Sequence, residues 1–404
     1  MIDFEETPGP LAGLVVVDMS TMMAGPWAAT YLGDLGARVI KLEVPNSGDH
    51  ARRFGPTKDG ESLLWVSIAR NKECITLDIR TDEGAGLFRK LIGKVDVLIE
   101  NFRPGTLERR NIGWTTLSAI NPGLVMLRVT GFGQDGPYSS FRGFGTVAEA
   151  MSGFAHLTGM PDGPPTLPAF PLADGVCSVF GALSIMSAIY ERDVGGSGLG
   201  QYIDISLFEP LMRFMESQTI QYDQLGSVGE RTGNRLSDAA PRNTYLTGDG
   251  DWVALSASAQ PVAERVFRVM GVPELVDDPR FATQDARVAN VEELDQILED
   301  WFAARSTEEA VDAMRKAGCA VGPVYRMDDV YEDPHYQYRG VFTSLEHPVL
   351  GTVRVPNVHA RLSRTPGSVR HLGRPLGADN QRVYTELLGL TSEEVDELQA
   401  SGVI

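Results

Sequence analysis

Between residues 14 and 130 the chain alternates short aliphatic and β-branched runs with stretches whose apolar positions recur at helical spacing. Residues 14–18, 38–42, 74–78, 95–99 and 125–129 read as buried strands; residues 25–35, 81–92 and a segment after Gly105 read as helices. This alternation predicts βαβ units on a parallel sheet, an α/β fold class. In open sheets of that kind ligands bind outside the carboxyl ends of the strands, so a site is expected in the loops at 20–26, 101–105 and 131–137.

Further along, a Pro/Gly-rich connection at 161–171 leads to an apolar segment, 176–190, that predicts a buried helix. That helix should end at Gly195-Gly196-Ser197-Gly198, before a strand at 202–205. The pattern loosens after Gln221, and the polar, turn-rich stretch 226–241 suggests a domain crossing. Residues 252–321 carry helical, charged periodicity, clearest at 291–302 and 306–317, and read as a smaller domain. Strand character returns at 353–355, and Thr391-Ser392-Glu393-Glu394 caps a last helix, 395–400. The expected division is residues 1–220 for the first part of a large domain, 221–330 for a small domain with linkers, and 331–404 for a return to the large one.

Composition narrows the function. With 404 residues and 43% hydrophobic content the chain can bury more than one core. A net charge of -18 argues against a nucleic-acid or anionic-membrane partner, so any anionic ligand must be held by local cations. Cys74, Cys177 and Cys319 are widely spaced and fit neither a disulfide framework nor a zinc site, which favours a cytoplasmic setting. The acidic start, residues 1–6, lacks a signal-peptide pattern, and Ser178, Ser184 and Ser187 interrupt the apolar segment. A soluble, unprocessed protein is expected.

Pro171-Leu172-Ala173-Asp174-Gly175 places one carboxylate at the mouth of the apolar helix. There, unpaired N–H groups and the helix dipole favour negative charge, so Asp174 is expected to remain ionised near neutral pH. An ionised carboxylate can attack an activated acyl group, which makes Asp174 the candidate nucleophile. The competing reading is a plain N-cap.

Several stretches together resemble the family III CoA transferases of the formyl-CoA and carnitine-CoA type, whose fold also hosts the α-methylacyl-CoA racemases. They include Val17-Asp18-Met19 with Ala24-Gly25-Pro26, residues 35–43, Arg70-Asn71-Lys72, residues 100–105, Gly131-Phe132-Gly133-Gln134-Asp135-Gly136-Pro137, Ser152-Gly153, Leu172-Ala173-Asp174 and Gly198-Leu199-Gly200-Gln201. The resemblance runs over nearly the whole chain. It implies a Rossmann-like large domain formed by both chain ends, a smaller α+β domain, and an interlocked homodimer. It also implies transfer of CoA from an acyl-CoA donor to a carboxylic acid acceptor through a covalent intermediate on Asp174, with acyl-CoA as substrate and no prosthetic group or metal. A carboxylate suits this chemistry because it can exchange anhydride and thioester states reversibly. Carried over position by position, the CoA-binding residues are Met23, Ala24, Arg70, Lys72, Asn101, Phe102, Arg109 and Arg142. Guanidinium groups and N–H donors match the phosphates of CoA.

Three departures bear on substrate. Phe144 and Gly145 stand where racemase relatives carry a His/Asp pair and transferases often carry Tyr with an acid, which removes the racemase base and opens space beside Asp174. Residues 237–241 replace a glycine-rich loop that covers the intermediate in the formyl-CoA type, and Gly377-Ala378-Asp379-Asn380 replaces a Gly-Glu-His-Thr pattern. A wider pocket fits an acid larger than formate or oxalate. Its distal carboxylate would need a cation, for which Arg235 and Arg242 are the nearest candidates. An acyl-CoA racemase or isomerase is the main alternative, weakened by the missing His/Asp pair. A nicotinamide-dependent oxidoreductase lacks its Gly-x-Gly-x-x-Gly loop, and a non-catalytic CoA-binding protein would not depend on Asp174. His156 and Cys177 read as a hydrogen-bonded structural histidine and a buried, inert thiol.

Overall fold

The structure is a computed structural model that describes residues 9–404; the acidic start at 1–6 lies outside them. The chain forms two compact units, one from residues up to Ser152, Pro168–Ser217 and Gln337–Ile404, the other from Gly153–Leu167 and Gln218–Tyr336. Residues 153–167, which the sequence pattern leaves in the large domain, thus cluster with the small unit. The reason is visible in its hydrogen bonds: the Gly233 N–H donates to Gly159 O at 2.9 Å, and Arg231 Nη1 donates to His156 O at 3.1 Å. His156 is exposed and its Nε2 lies 3.2 Å from Gly229 O, a structural contact of the kind expected.

In the larger unit six strands form one sheet: β1 (Val15–Asp18), β2 (Arg38–Glu43), β3 (Lys72–Thr76), β4 (Val97–Glu100), β5 (Val125–Thr130) and β6 (Tyr202–Ser206). They pair in the order β3-β2-β1-β4-β5-β6, parallel throughout, with Val17 of β1 opposite Ile40 and Leu98. Side chains alternate between two cores. Val17, Ile40, Leu98 and Met126 meet helix α2 (Asp82–Ile92) and the C-terminal helices Asn380–Leu388 and Ser392–Ala400. Val16, Val39, Val97 and Leu127 meet α1 (Ala24–Asp34) and α4 (Leu172–Asp193). With both faces covered, the central strands are buried at nearly every position and mostly aliphatic, with charged residues such as Asp18, Lys41, Glu100 and Arg128 among them, which is why they read as apolar runs rather than alternating ones.

Local signals set the helix ends. The Thr81 hydroxyl accepts from Gly84 N–H at the start of α2, and Thr391 forms a capping box with Glu394 as its spacing predicts. Asp379 and Asn380 accept the Cys74 and Thr76 N–H groups of edge strand β3, each at 2.8 Å. The departure at 377–380 therefore ties the returning chain to a sheet edge that would otherwise present unpaired donors.

Helix α4 runs for 22 residues and is long and apolar enough, by length and composition, to cross a membrane. Its inner residues Ala173, Cys177 and Ile185 belong to the core beneath the sheet. It begins at Leu172, four residues before the apolar run.

The small unit is built on antiparallel strands β7 (Arg242–Leu246), β8 (Trp252–Ser256) and β9 (Ala320–Pro323), ordered β9-β8-β7. Helices α5 (Gln260–Met270), α6 (Val291–Ala303) and α7 (Thr307–Lys316) close its core around Tyr245, Val253, Leu255, Phe267 and Phe302. The segment 252–321 is thus framed by strands rather than helical throughout. In β8 only Val253 and Leu255 are buried, but Trp252 and Ala254 are also apolar, so the period-2 signal is hidden.

Candidate active site

The sheet order reverses at β1 and β4, and the loops leaving those two strands lie side by side. The first, residues 19–23, is anchored by buried charges. Asp18, fully buried, accepts the Ser20 N–H at 3.1 Å and also its hydroxyl; Lys41 Nζ donates to the Ser20 carbonyl and pairs with Asp49 at 3.0 Å. Asp49 in turn accepts the Met22 N–H at 3.1 Å. Lys72 Nζ bridges Asp18 at 2.9 Å and Pro26 O at 2.6 Å, joining the loop to the first turn of α1. Burial opposes the charge on Asp18, but Lys41 and Lys72 together outweigh it and hold the carboxyl below its usual range. From β4, the Asn101 side chain accepts the Thr21 N–H and donates to Thr21 O, both at 2.8 Å. These contacts hold Met22 at φ 67, a left-handed conformation unfavourable for a side chain of that size.

Asp174 lies in the first turn of α4, three residues after Pro171, which occupies the N-cap position without a side-chain bond. Asp174 is therefore not a cap. Its neighbour across the turn is helix α3 (Gly145–Met151): a methyl carbon built on Gly145 would overlap Oδ2 of Asp174 and lie 3.3 Å from its Cγ. The space expected beside Asp174 is occupied by its own carboxylate. One turn further along α3, buried Glu149 accepts the Ala173 N–H at 3.1 Å through Oε1.

Burial, and then the charge of Glu149, push the Asp174 carboxyl up to about 6, while the Ala24 N–H and its own N–H pull the other way. The helix terminus does not dominate, contrary to the expectation from the sequence, because desolvation outweighs it. Asp174 is still mostly ionised at pH 7. Cys177, one turn on, is fully buried and its thiol is pushed up, first by burial and then by Asp174, which makes it inert as read.

A cavity of about 270 Å³ opens over Asp174. Of the predicted CoA-binding residues, Met23, Ala24, Asn101, Phe102 and Arg142 line it, together with Arg103, Pro104, Ser139, Phe141 and Phe144. Arg142 and Arg103 are exposed and make no ion pair among the described residues, so both are free to meet an anion. The third expected loop contributes Gly131, Ser139 and residues 141–144 rather than 132–137. Gly131 and Gly143 approach so closely that a methyl carbon on either would sit 2.7 Å from the other's Cα, which closes that loop at its base.

Three predicted binding residues lie elsewhere. Arg70 is buried, with Nε and Nη2 on Asp34 at 3.1 and 2.5 Å and Nη1 on Pro356 O at 2.6 Å. Lys72 is enclosed beneath the β1 loop, as described. Both are corrected from phosphate ligands to structural ion pairs: their neighbours in the folded chain are carboxylates, which sequence position alone does not reveal. Arg109 is exposed and touches Thr106 Oγ1 at 3.2 Å, outside the cavity lining. In the small unit, Arg235 is engaged by buried Asp295 at 2.6 Å, which also binds Asn243 and Tyr245, and Arg242 donates to Asn234 O at 2.6 Å.

Sequence reasoning passed over Arg103 and Glu149. Arg103 sits inside the Asn-Phe-Arg-Pro-Gly stretch and could have been found as its one cation. Glu149 had no signal beyond its place four residues after Gly145.

A model of CoA-transferase family III matches residues 11–380. The chain is 41% identical over 401 residues to a succinyl-CoA–D-citramalate CoA-transferase of Chloroflexus aurantiacus, covering 99% of both chains. It is 39% identical over 407 residues to the beta subunit of a succinyl-CoA–L-malate CoA-transferase from the same organism, covering all of both chains. Among solved structures, a CAIB/BAIF family protein from Brucella suis superposes with a TM-score of 0.82 at 32% identity, covering 94% of this chain and 100% of that one.

Proposed function

The chain belongs to CoA-transferase family III, and from that premise we propose that it carries CoA from succinyl-CoA to a dicarboxylate acceptor through acyl intermediates on Asp174. The observation that carries this reading is the single half-buried carboxylate at the floor of a cavity with two unpaired guanidinium groups at its rim. The relatives named above act on succinyl-CoA with citramalate or malate, which supports the choice of acids.

In the first step a carboxylate oxygen of Asp174 attacks the thioester carbonyl, the C–S bond breaks, and CoA leaves as thiolate with the electron pair. The thiolate then attacks the Asp174 carbonyl of the mixed anhydride, expelling the donor acid as carboxylate and leaving CoA on Asp174. The acceptor carboxylate displaces CoA through a second anhydride, and thiolate attack on the acceptor acyl group regenerates Asp174. No net proton is transferred, and each step exchanges groups of similar reactivity. In this scheme the rigid 19–23 loop places the Ala24 N–H beside the reacting carboxyl, Asn101 keeps that loop in place, and Arg142, Arg103 and Arg109 meet the anionic parts of CoA.

The sheet order, numbered along the chain as 3-2-1-4-5-6, supports a Rossmann-like assignment for the large domain. The outward residues Val179, Leu183 and Tyr190 of α4, all exposed, with Phe214, also exposed, support an obligate homodimer as the functional unit. The test is to incubate the protein with succinyl-CoA, add borohydride or hydroxylamine, and map the adduct by peptide mass spectrometry. Modification of Asp174 is expected, and Asp174→Asn should bind CoA while transferring it poorly. Adduct elsewhere, or full turnover by Asp174→Asn, overturns the reading.

A further inference from the structure

Glu149 has an unusual environment for an acid. It is 3% exposed, no lysine, arginine or histidine lies within ion-pair distance of it among the described residues, and its side chain takes one backbone donor, the Ala173 N–H. A buried carboxylate with so little compensation is costly to folding. Ala173 directly precedes the nucleophile, and its N–H is one of the free donors of the first turn of α4. Gly145, one turn before Glu149 on the same face of α3, is the residue whose missing side chain admits the Asp174 carboxylate. A single short helix thus shapes the space for the nucleophile and sets a second carboxylate beside it.

We infer that Glu149 is a positioning residue for Asp174: it fastens the first turn of α4 to α3 and fixes a negative charge that favours every state in which Asp174 is uncharged, the acyl-enzyme among them. This rests on the covalent reading proposed above. Attack on the thioester turns the Asp174 carboxylate into an anhydride and then a thioester, both neutral at that residue, and the charge departs with the donor acid. Repulsion between the two carboxylates is present in the free enzyme and relieved in the aspartyl thioester, so the field of Glu149 shifts the first half-reaction towards the covalent form.

The other charged groups around the nucleophile are Arg142 and Arg103 on the cavity-lining loops; the first turn of α1, residues 24–27, carries none. Glu209, which with Asp174 raises the Cys177 thiol, is exposed and accepts from the Ser206 hydroxyl at 2.7 Å. Burial and Glu149 are the two influences that raise the Asp174 carboxyl.

Glu149→Gln keeps the acceptor for the Ala173 N–H and the side-chain shape while removing the charge; Glu149→Ala removes both. Two readouts separate the ideas. The first is the pH dependence of carbodiimide labelling at Asp174 in the substrate-free protein, mapped by peptide mass spectrometry, since that reagent attacks protonated carboxyls. The second is the fraction of Asp174 trapped as covalent adduct with succinyl-CoA. With Glu149→Gln the labelling midpoint should move below the wild-type value of about 6, and the adduct fraction should fall about three- to tenfold, the scale of half to one pH unit. Thermal unfolding should hold or move to higher temperature, because a costly buried charge is removed and its one hydrogen bond is kept. Glu149→Ala should show the same shifts with a lower Tm. Superimposable labelling curves for wild type and Glu149→Gln overturn the inference. If wild type forms no adduct, the covalent reading fails, and the labelling curves still decide the role of Glu149.

Discussion

Gly145 and Asp174 are sterically coupled: the Asp174 Oδ2 occupies the volume that any side chain at position 145 would require. Gly145 begins a helix and is not among the glycines with positive φ, so alanine there suffers no backbone penalty and the whole effect of substitution falls on Asp174. Gly145→Ala is expected to lower kcat by about 10²-fold, the scale of a displacement near 1 Å in a reacting group. Its Tm should hold or rise slightly, because alanine is the better helix former by up to about 1 kcal/mol. Wild-type kcat in this variant would show that Asp174 has another productive position.

The raised Asp174 carboxyl makes two pH predictions. First, kcat/KM for succinyl-CoA should fall as pH drops through about 6, where Asp174 takes up a proton and loses its nucleophilic form. Second, the folded protein holds that proton more tightly than an unfolded chain, whose carboxyl has the ordinary value of 3.8. The folded state therefore carries no penalty below the ordinary value and loses stability as pH rises from there through about 6. Asp174→Asn should remove this penalty. It should stabilise the protein at pH 7–8 by at most about 2–3 kcal/mol and have little effect at pH 4, as read from urea unfolding. A stabilisation of equal size at both pH values would contradict the assignment.

Lys72 and Arg142 should separate cleanly. Lys72→Met leaves Asp18 buried without its closest cation and is expected to cost about 3–5 kcal/mol of stability. Arg142→Ala, at an exposed and unpaired position, should leave Tm unchanged and raise KM for acyl-CoA about 10- to 100-fold, matching loss of a charge-assisted bond of roughly 1.5–3 kcal/mol. An increase in KM for the lysine variant without loss of stability would restore it as a phosphate ligand.

Arg235→Ala tests whether that side chain serves the acceptor or the small unit. Its pairing with Asp295, which is 2% exposed, predicts a loss of about 1–3 kcal/mol in stability, because Asp295 keeps only its bonds from Asn243 and Tyr245. Acceptor KM should change equally for mono- and dicarboxylates. A selective rise of KM for dicarboxylates, with unaltered stability, would assign Arg235 to the distal carboxylate.

Much of this protein was determined by its sequence alone. The central strands of the large sheet are buried on both faces, so their apolar runs marked them, and residues such as Thr81 and Thr391 announced the helix starts they cap. Asp174 and the cavity residues Met23, Ala24, Asn101, Phe102 and Arg142 were legible because they sit in short, contiguous motifs at strand and helix ends. Contiguity is what a sequence displays.

The tertiary structure decided which charges meet. Arg70 and Lys72 looked like phosphate ligands until folding set Asp34 and Asp18 against them, from positions 36 and 54 residues away. Glu149 and Asp174 became neighbours only when α3 packed on the first turn of α4. The direction in which Asp174 titrates followed from that packing, because desolvation and a second buried carboxylate outweigh the helix terminus that the sequence makes visible. Burial and long-range pairing set these energies, and neither is a property of a residue's neighbours along the chain.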